Sequence, residues 1–256
     1  MLEFVRSADG TTIAYERSGV GPALVLVGGA FTTRHSFDPL VPLLSGQFCV
    51  YAFDRRGRGE SGDTRPYSVA REVEDLHAVI AAAGGSAHLY GHSSGGILAL
   101  EAAAATGRVT RLAVYEPPYL TGETGDVSPD TFAARLQDSL DSGHPDDAVE
   151  LWMRHTGAGF NEGIKYTPWW PEMVAVAPSL VHDLVLTGDG SVPTQRLQTI
   201  TARALAIYGG ASTHWASQSA AAVAAAIPGA RFLEVPEQNH MVAHDTIAPV
   251  LIDFFN

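Results

Sequence analysis

Five short, nearly unbroken apolar runs limit what this chain can become: "ALVLVGG" (23–29), "FCVYAFD" (48–54), "AHLYG" (87–91), "RLAVYE" (111–116) and "RALAIYGG" (203–210). A strand with one face in water alternates apolar and polar side chains, whereas an unbroken run suits a strand covered on both faces, as in a parallel sheet. Between the runs lie helical patterns, "SVAREVEDLHAVIAAAG", "GGILALEAAAATG" and "HWASQSAAAVAAAIPG", the last two rich in alanine, which lets helices lie close on a sheet. The alternation predicts an α/β architecture with a mostly parallel central sheet flanked by helices. Two further strand patterns, "LEFVRS" and "TIAYERSG", meet at Asp9 and Gly10, a dipeptide that favours a tight hairpin turn.

Between about Tyr119 and Arg196 the rhythm breaks. Helix-like stretches such as "PDTFAARLQDSLDSG" and "PDDAVELWMRHTG" follow one another without a strand of comparable quality. We read residues 1–118 and 197–256 as one core and 119–196 as a helical cap inserted over the carboxyl edge of the sheet, where α/β proteins place their sites.

Composition narrows the partners. With 28 acidic against 16 basic residues and a formal charge of -12, the surface repels polyanions, so nucleic acid is not an expected partner. The opening "MLEFVRSADG" bears charges and no apolar segment, and no later run approaches membrane-spanning length, so neither a leader nor a membrane partner is expected and a cytoplasmic location is. The single cysteine, Cys49, falls where a strand would bury it. The sequence leaves open a monomer or a homo-oligomer.

Chemistry concentrates in "HLYGHSSGGILALEA", where Gly91, Ser93 and Gly95 form G-x-S-x-G between a strand and a helix. A serine on so sharp a turn takes a strained backbone conformation, and the residues two before and two after it must be tiny. The turn presents the Ser93 hydroxyl, while the N–H of Ser94 at the helix start can hold a developing oxyanion. A second donor is expected from the loop after the third strand, "VGGAFTTRHSF", where Gly28 and Gly29 let the backbone approach and the N–H of Ala30 is the candidate. Phe31 beside it is a candidate substrate contact.

A serine hydroxyl needs a base. Of ten histidines, His240 in "EVPEQNHMVAHD" stands between the last strand pattern, "RFLEV", and the final helix, as the order serine, acid, histidine requires. His244 falls inside that helix. His92 adjoins the serine but points away from it on the turn, as a pocket or surface side chain.

These residues, with the arginine- and glycine-rich "FDRRGRGESG" (53–62), resemble the α/β-hydrolase superfamily over nearly the whole chain. The resemblance implies an α/β-hydrolase fold, a structural role for that loop, and an acid in the loop after the seventh strand. That loop reads "GGASTHWA" and holds no carboxylate. Glu116, ending the strand after the nucleophile helix, is the candidate acid, because neighbouring parallel strands end on one edge and Pro117 and Pro118 stop the strand there. The rivals are Asp189, read as a turn residue, and Asp245, read as carried away by the final helix. The order Ser93, Glu116, His240 and the aromatic-bearing cap are similar to those of zearalenone-opening lactonases.

Trp152, Tyr166, Trp169 and Trp170 in the cap, with His214 and Trp215 in the acid-free loop, are candidate walls of an apolar pocket. The reading is a cofactor-free and metal-free serine hydrolase acting on an ester or lactone of a moderately hydrophobic small molecule. Carbon–carbon bond hydrolysis, cyclisation or ligand binding without catalysis on the same fold stay open, since a fold does not fix a chemistry.

Overall fold

The structure, a computed structural model, describes residues 1–119, 129–156 and 159–256. Eight strands form one sheet: β1 (Leu2–Arg6), β2 (Thr12–Ser18), β3 (Ala23–Val27), β4 (Cys49–Phe53), β5 (Ala87–His92), β6 (Val109–Tyr115), β7 (Arg203–Gly209) and β8 (Arg231–Val235). Their order is β1-β2-β4-β3-β5-β6-β7-β8. β2 runs antiparallel to β1 and β4, and the strands from β4 to β8 across the sheet are parallel. The expected α/β fold is therefore present. The connection from β1 to β2 spans Ser7 to Thr11, longer than the tight turn expected, because Asp9 accepts from Thr11 N–H and only Gly10 takes a positive φ, of 86°. Cys49 opens β4 and is half-buried rather than enclosed.

Side chains alternate across the sheet and divide its core in two. Val25 and Val27 face one cluster, with Leu76 of α2 (Val69–Ala82), Ile97 of α3 (Ser94–Ala105) and Val223 of α9 (His214–Ala226). Leu24 and Leu26 face the other, with Leu44 of the short α1 (Val41–Leu44) and Leu251, Phe254 and Phe255 of α10 (His244–Phe255). Helix α3 is buried nearly all round, which its Ile-Leu-Ala sequence permits.

Between β6 and β7 lie α4 (Pro129–Asp141), α5 (Pro145–Thr156), α6 (Trp169–Val176), α7 (Leu180–Thr187) and the one-turn α8 (Thr194–Leu197). The start of the expected insertion, 120–128, lies outside the described residues. Phe132, Leu136, Val149, Trp152 and Leu180 form a separate apolar cluster within this helical layer. Helix α7 joins both layers: Leu180 belongs to the helical cluster, Leu186 to the core on the sheet. Among the described residues no helix is long and apolar enough to cross a membrane.

Candidate active site

Strand register assembles the site. Val27 pairs with Gly91, Gly91 with Val114 and Val114 with Ala206, so these residues form one row across four parallel strands. Two residues further along three of them stand Gly29, Ser93 and Glu116, brought to one edge by nothing more than hydrogen-bonded pairing.

Ser93 links β5 to α3 with φ 56° and ψ -131°, a conformation that disfavours L side chains and persists because its surroundings impose it. The flanking glycines are obligatory. A Cβ on Gly91 would lie 2.6 Å from Gly95 O, and one on Gly95 would lie 2.3 Å from Val27 O. Gly29 is constrained from the opposite side, since its Cβ would sit 2.7 Å from that of Ser93. The loop after β3 therefore reaches the serine only because it has no side chain there.

His240 lies in the loop between β8 and α10. Its Nε2 is 3.0 Å from Ser93 Oγ and its Nδ1 is 2.7 Å from Glu116 Oε2. The carboxylate accepts a hydrogen bond from Nδ1–H, which keeps the proton on Nδ1 and leaves Nε2 free to accept from the serine. The backbone of this loop is held by two neighbours: Tyr115 donates its hydroxyl to Asn239 O at 2.7 Å, and His92 Nε2 donates to His240 O at 2.8 Å. The His92 ring stacks on Tyr115, with centroids 5.7 Å apart. Burial, then the nearby His240, pushes the His92 imidazole down to about 4, so it stays neutral near pH 7. His92 is half-buried: it points away from Ser93, as expected, and toward the backbone of His240.

Glu116 is 0% exposed and takes a positive φ of 46° just after β6. Its Oε1 accepts from Gly209 N at 2.8 Å and from Ser212 Oγ at 2.5 Å. Burial alone would raise its pKa, but the hydrogen bonds from His240, Ser212 and Gly209 outweigh burial and hold it below the ordinary glutamate value. The loop without an acid now makes sense: Gly209 and Ser212 donate to the carboxylate that β6 supplies. Asp189 instead binds Ser191 N and Oγ in a turn, and Asp245 lies in the first turn of α10.

In the loop after β3, where the sequence places a candidate oxyanion donor, Gly29 O accepts from Thr32 Oγ1 at 2.7 Å and from Arg58 Nη1 at 2.5 Å. That carbonyl belongs to the peptide whose N–H is Ala30's. Ser94 opens α3, which places its N–H at a helix start beside Ser93. Phe31, at φ 62°, lays its ring edge to face with Trp152, with centroids 6.2 Å apart and planes at 82°.

The aromatic candidates divide. The Trp215 ring is 5.7 Å from that of His240. Trp152 touches Phe31 but lies mainly inside the helical cluster, with Phe132 at 5.9 Å. Trp170 packs on Phe160 and lies near Lys165 Nζ, which holds it within the helical layer rather than against Ser93. Tyr166 and Trp169 are 88% and 68% exposed, and His214 is exposed too, so the structure turns these three to solvent rather than to the site. Trp169 and Trp170 are successive residues of α6, as are His214 and Trp215 of α9, and about 100° of rotation between neighbours points the two side chains of each pair in different directions. Sequence reading missed the parts played by Ser212, Tyr115 and His92; the last two carry one signal, their place at the ends of β6 and β5, and Ser212 carries none. Among the described residues no group of three or more His, Cys, Asp or Glu is disposed to hold a metal ion.

Comparison with known proteins agrees with this architecture. A crystal structure of an α/β hydrolase from Sphaerobacter thermophilus superposes with a TM-score of 0.93 at 46% identity, covering 99% of this chain and 100% of that one. The enol-lactonase of Burkholderia xenovorans LB400 shares the fold at a TM-score of 0.75 and 20% identity, over 99% of both chains. The N-formylmaleamate deformylase of Pseudomonas putida is 38% identical over 118 residues, which is 44% of each protein. The matched part of this chain spans less than half the length of the curated relatives. The sequence model of the alpha/beta hydrolase family matches residues 24–250, from β3 into α10, and the chain belongs to that family.

Proposed function

We propose that the protein is a serine hydrolase that cleaves a carboxylic ester or lactone of a moderately hydrophobic small molecule. The observation that carries this reading is the unbroken hydrogen-bond chain from Ser93 Oγ through His240 to Glu116. Ser93 Oγ attacks the carbonyl carbon as His240 Nε2 takes its proton, and the N–H groups of Ala30 and Ser94 hold the negative oxygen that results. Collapse of this intermediate breaks the acyl carbon–oxygen bond, and His240 returns the proton to the departing alkoxide. Water then attacks the acyl-enzyme, gives its proton to the same nitrogen and releases the acid with Ser93 restored. In a lactone the alcohol and acid products stay on one molecule. Throughout, Glu116 fixes the tautomer of His240 and balances its charge.

The Phe31 and Trp215 rings beside this machinery support an apolar substrate, and the Trp152 edge extends that surface. Arg55 and Arg58 are held by Glu72 and Asp183 and turn no free charge toward a substrate carboxylate. Likeness to an enol-lactonase and a deformylase is in keeping with acyl-group hydrolysis.

The test is a panel of p-nitrophenyl esters and aromatic lactones against wild type and Ser93→Ala, with mass spectrometry of fluorophosphonate-treated protein. The reading expects turnover lost in Ser93→Ala and a single phosphonyl adduct on Ser93. Turnover that survives in Ser93→Ala, or a wild type that the probe does not label, would overturn it.

A further inference from the structure

Beneath the oxyanion loop lies a buried ionic cluster that the proposed chemistry does not use. Arg55 and Arg58, both 2% exposed, come from the loop after β4. Glu72 on α2 takes Arg55 in two parallel bonds, Nε to Oε1 at 2.6 Å and Nη2 to Oε2 at 3.0 Å, and the Tyr67 hydroxyl adds a third bond to that carboxylate at 2.6 Å. The other carboxylate comes from the helical layer. Asp183 on α7, 0% exposed, accepts from Arg55 Nη1 at 2.7 Å and from Arg58 Nη2 at 2.5 Å. Burial opposes its ionisation, but the charges of Arg58 and Arg55 and the hydroxyl of Ser94 outweigh that and hold it below the ordinary aspartate value.

Two contacts aim this cluster at the reaction. Arg58 Nη1 donates to Gly29 O, at one end of the peptide whose other end is the N–H of Ala30. Ser94 Oγ donates to Asp183 Oδ1 at 2.7 Å, and Ser94 bears the second oxyanion N–H. One carboxylate on the insertion therefore reaches both donors, one through a guanidinium and the other through a hydroxyl. Geometry and polarisation act together here. A cation on the carbonyl oxygen draws electron density along the amide, which makes the N–H at its far end a stronger donor. Fixing the peptide plane also keeps that donor aimed before any substrate arrives.

We propose that Asp183 and Arg58 are positioning residues for the oxyanion hole, so that docking of α7 on the sheet sets the stabilisation available at Ser93. The inference rests on the serine reading and deepens it. A helix far along the chain from Gly29 and Ser94 completes the site without touching the substrate.

The test measures how fast Ser93 is phosphonylated by a fluorophosphonate, which needs no knowledge of the natural substrate. In that reaction the Ser93 oxygen bonds to phosphorus, fluoride leaves, the serine proton passes to His240, and the phosphoryl oxygen sits where an oxyanion would. Wild type, Asp183→Asn, Arg58→Lys and the milder Ser94→Ala are compared for labelling stoichiometry and for rate constant per labelled site. The expected result is one adduct per chain with a rate lowered tenfold or more in Asp183→Asn and Arg58→Lys, and several-fold in Ser94→Ala. A purely structural role would reduce the labelled fraction and leave the rate of that fraction within twofold of wild type, and this would overturn the proposal. Should the first two variants not fold, a Ser94→Ala rate within twofold of wild type does the same. A wild type that is not labelled at all would overturn the serine reading and this inference with it, whereas a labelled wild type with unchanged variants overturns this inference alone.

Discussion

The cluster around Asp183 and the niche around Glu116 both bury carboxylates, and they neutralise them differently. Asp183 and Glu72 are matched by the guanidiniums of Arg55 and Arg58, whose charge is permanent at any physiological pH. Glu116 is matched by a backbone N–H, a hydroxyl and an imidazole, none of which carries a fixed charge. Charge-for-charge pairing makes a rigid support that resists any change of state. Pairing with neutral dipoles leaves the one titratable neighbour, His240, to gain a proton beside a waiting negative charge, which is what general-base catalysis needs.

The sharpest way to break this comparison is to neutralise each carboxylate without changing its shape. Glu116→Gln should lower kcat/KM on an activated ester by about 10⁴-fold, roughly 5 kcal/mol of barrier, through the wrong imidazole tautomer. Its unfolding free energy, read by urea titration, should fall by about 2 kcal/mol or less, because the amide keeps part of the hydrogen bonding. Asp183→Asn should reverse that emphasis. Two buried guanidiniums lose a counter-charge, and equilibrium unfolding should show a loss of about 3–5 kcal/mol.

A smaller effect sharpens the neutral side. Ser212→Ala removes one donor to Glu116 and should cost about tenfold in kcat, from a charge-assisted bond of about 1.5 kcal/mol, with KM nearly unchanged. Unchanged kcat in this variant would show that Gly209 alone suffices to hold the carboxylate.

Acid titration separates the regions by pH window. Glu72 and Asp183 have folded pKa values below their unfolded ones, so their stabilisation is complete above about pH 4.5 and is lost as pH falls through the folded values. His92, lowered from 6.5 to about 4, acts earlier. Between those values the unfolded chain binds a proton that the folded chain does not, so stability declines as pH falls from about 6.5 toward 4. His92→Gln, which keeps a donor for His240 O, should flatten the stability curve in that upper window and leave its slope unaltered below pH 4. At the small end, Tyr166→Ala should change kcat/KM by less than twofold, since its ring lies in solvent. A tenfold rise in KM would place Tyr166 on the substrate path after all.

The sheet was legible because five strands announce double-sided burial, whereas its order, with β4 between β2 and β3 and with β6 beside β7 across the long helical segment, was not. The nucleophile turn was legible because its glycines answer a steric demand that only glycine meets. The place of Glu116 beside His240 could be inferred from a strand end, since parallel neighbours finish on one edge. Other partners left no such mark. Ser212 and Asp183 look like any serine or aspartate in a row of letters, and their meaning depends on contacts made across 96 and 89 positions of sequence, to Glu116 and Ser94. The aromatics of the helical layer show the converse, for hydrophobic content alone says nothing about which side of a short helix meets the serine. Trp169 and Tyr166 face water while Trp152 fills a core.

The Glu116 carboxylate stands in a space bounded by the ends of two strands, β6, which it directly follows, and β7, whose last residue Gly209 binds it together with Ser212 of the next loop. That space is closed from two sides, so the carboxylate keeps its aim at His240 for as long as the two strand ends stay paired. Loosening the end of β7 would therefore reach the serine through the imidazole, without any change at Ser93 itself.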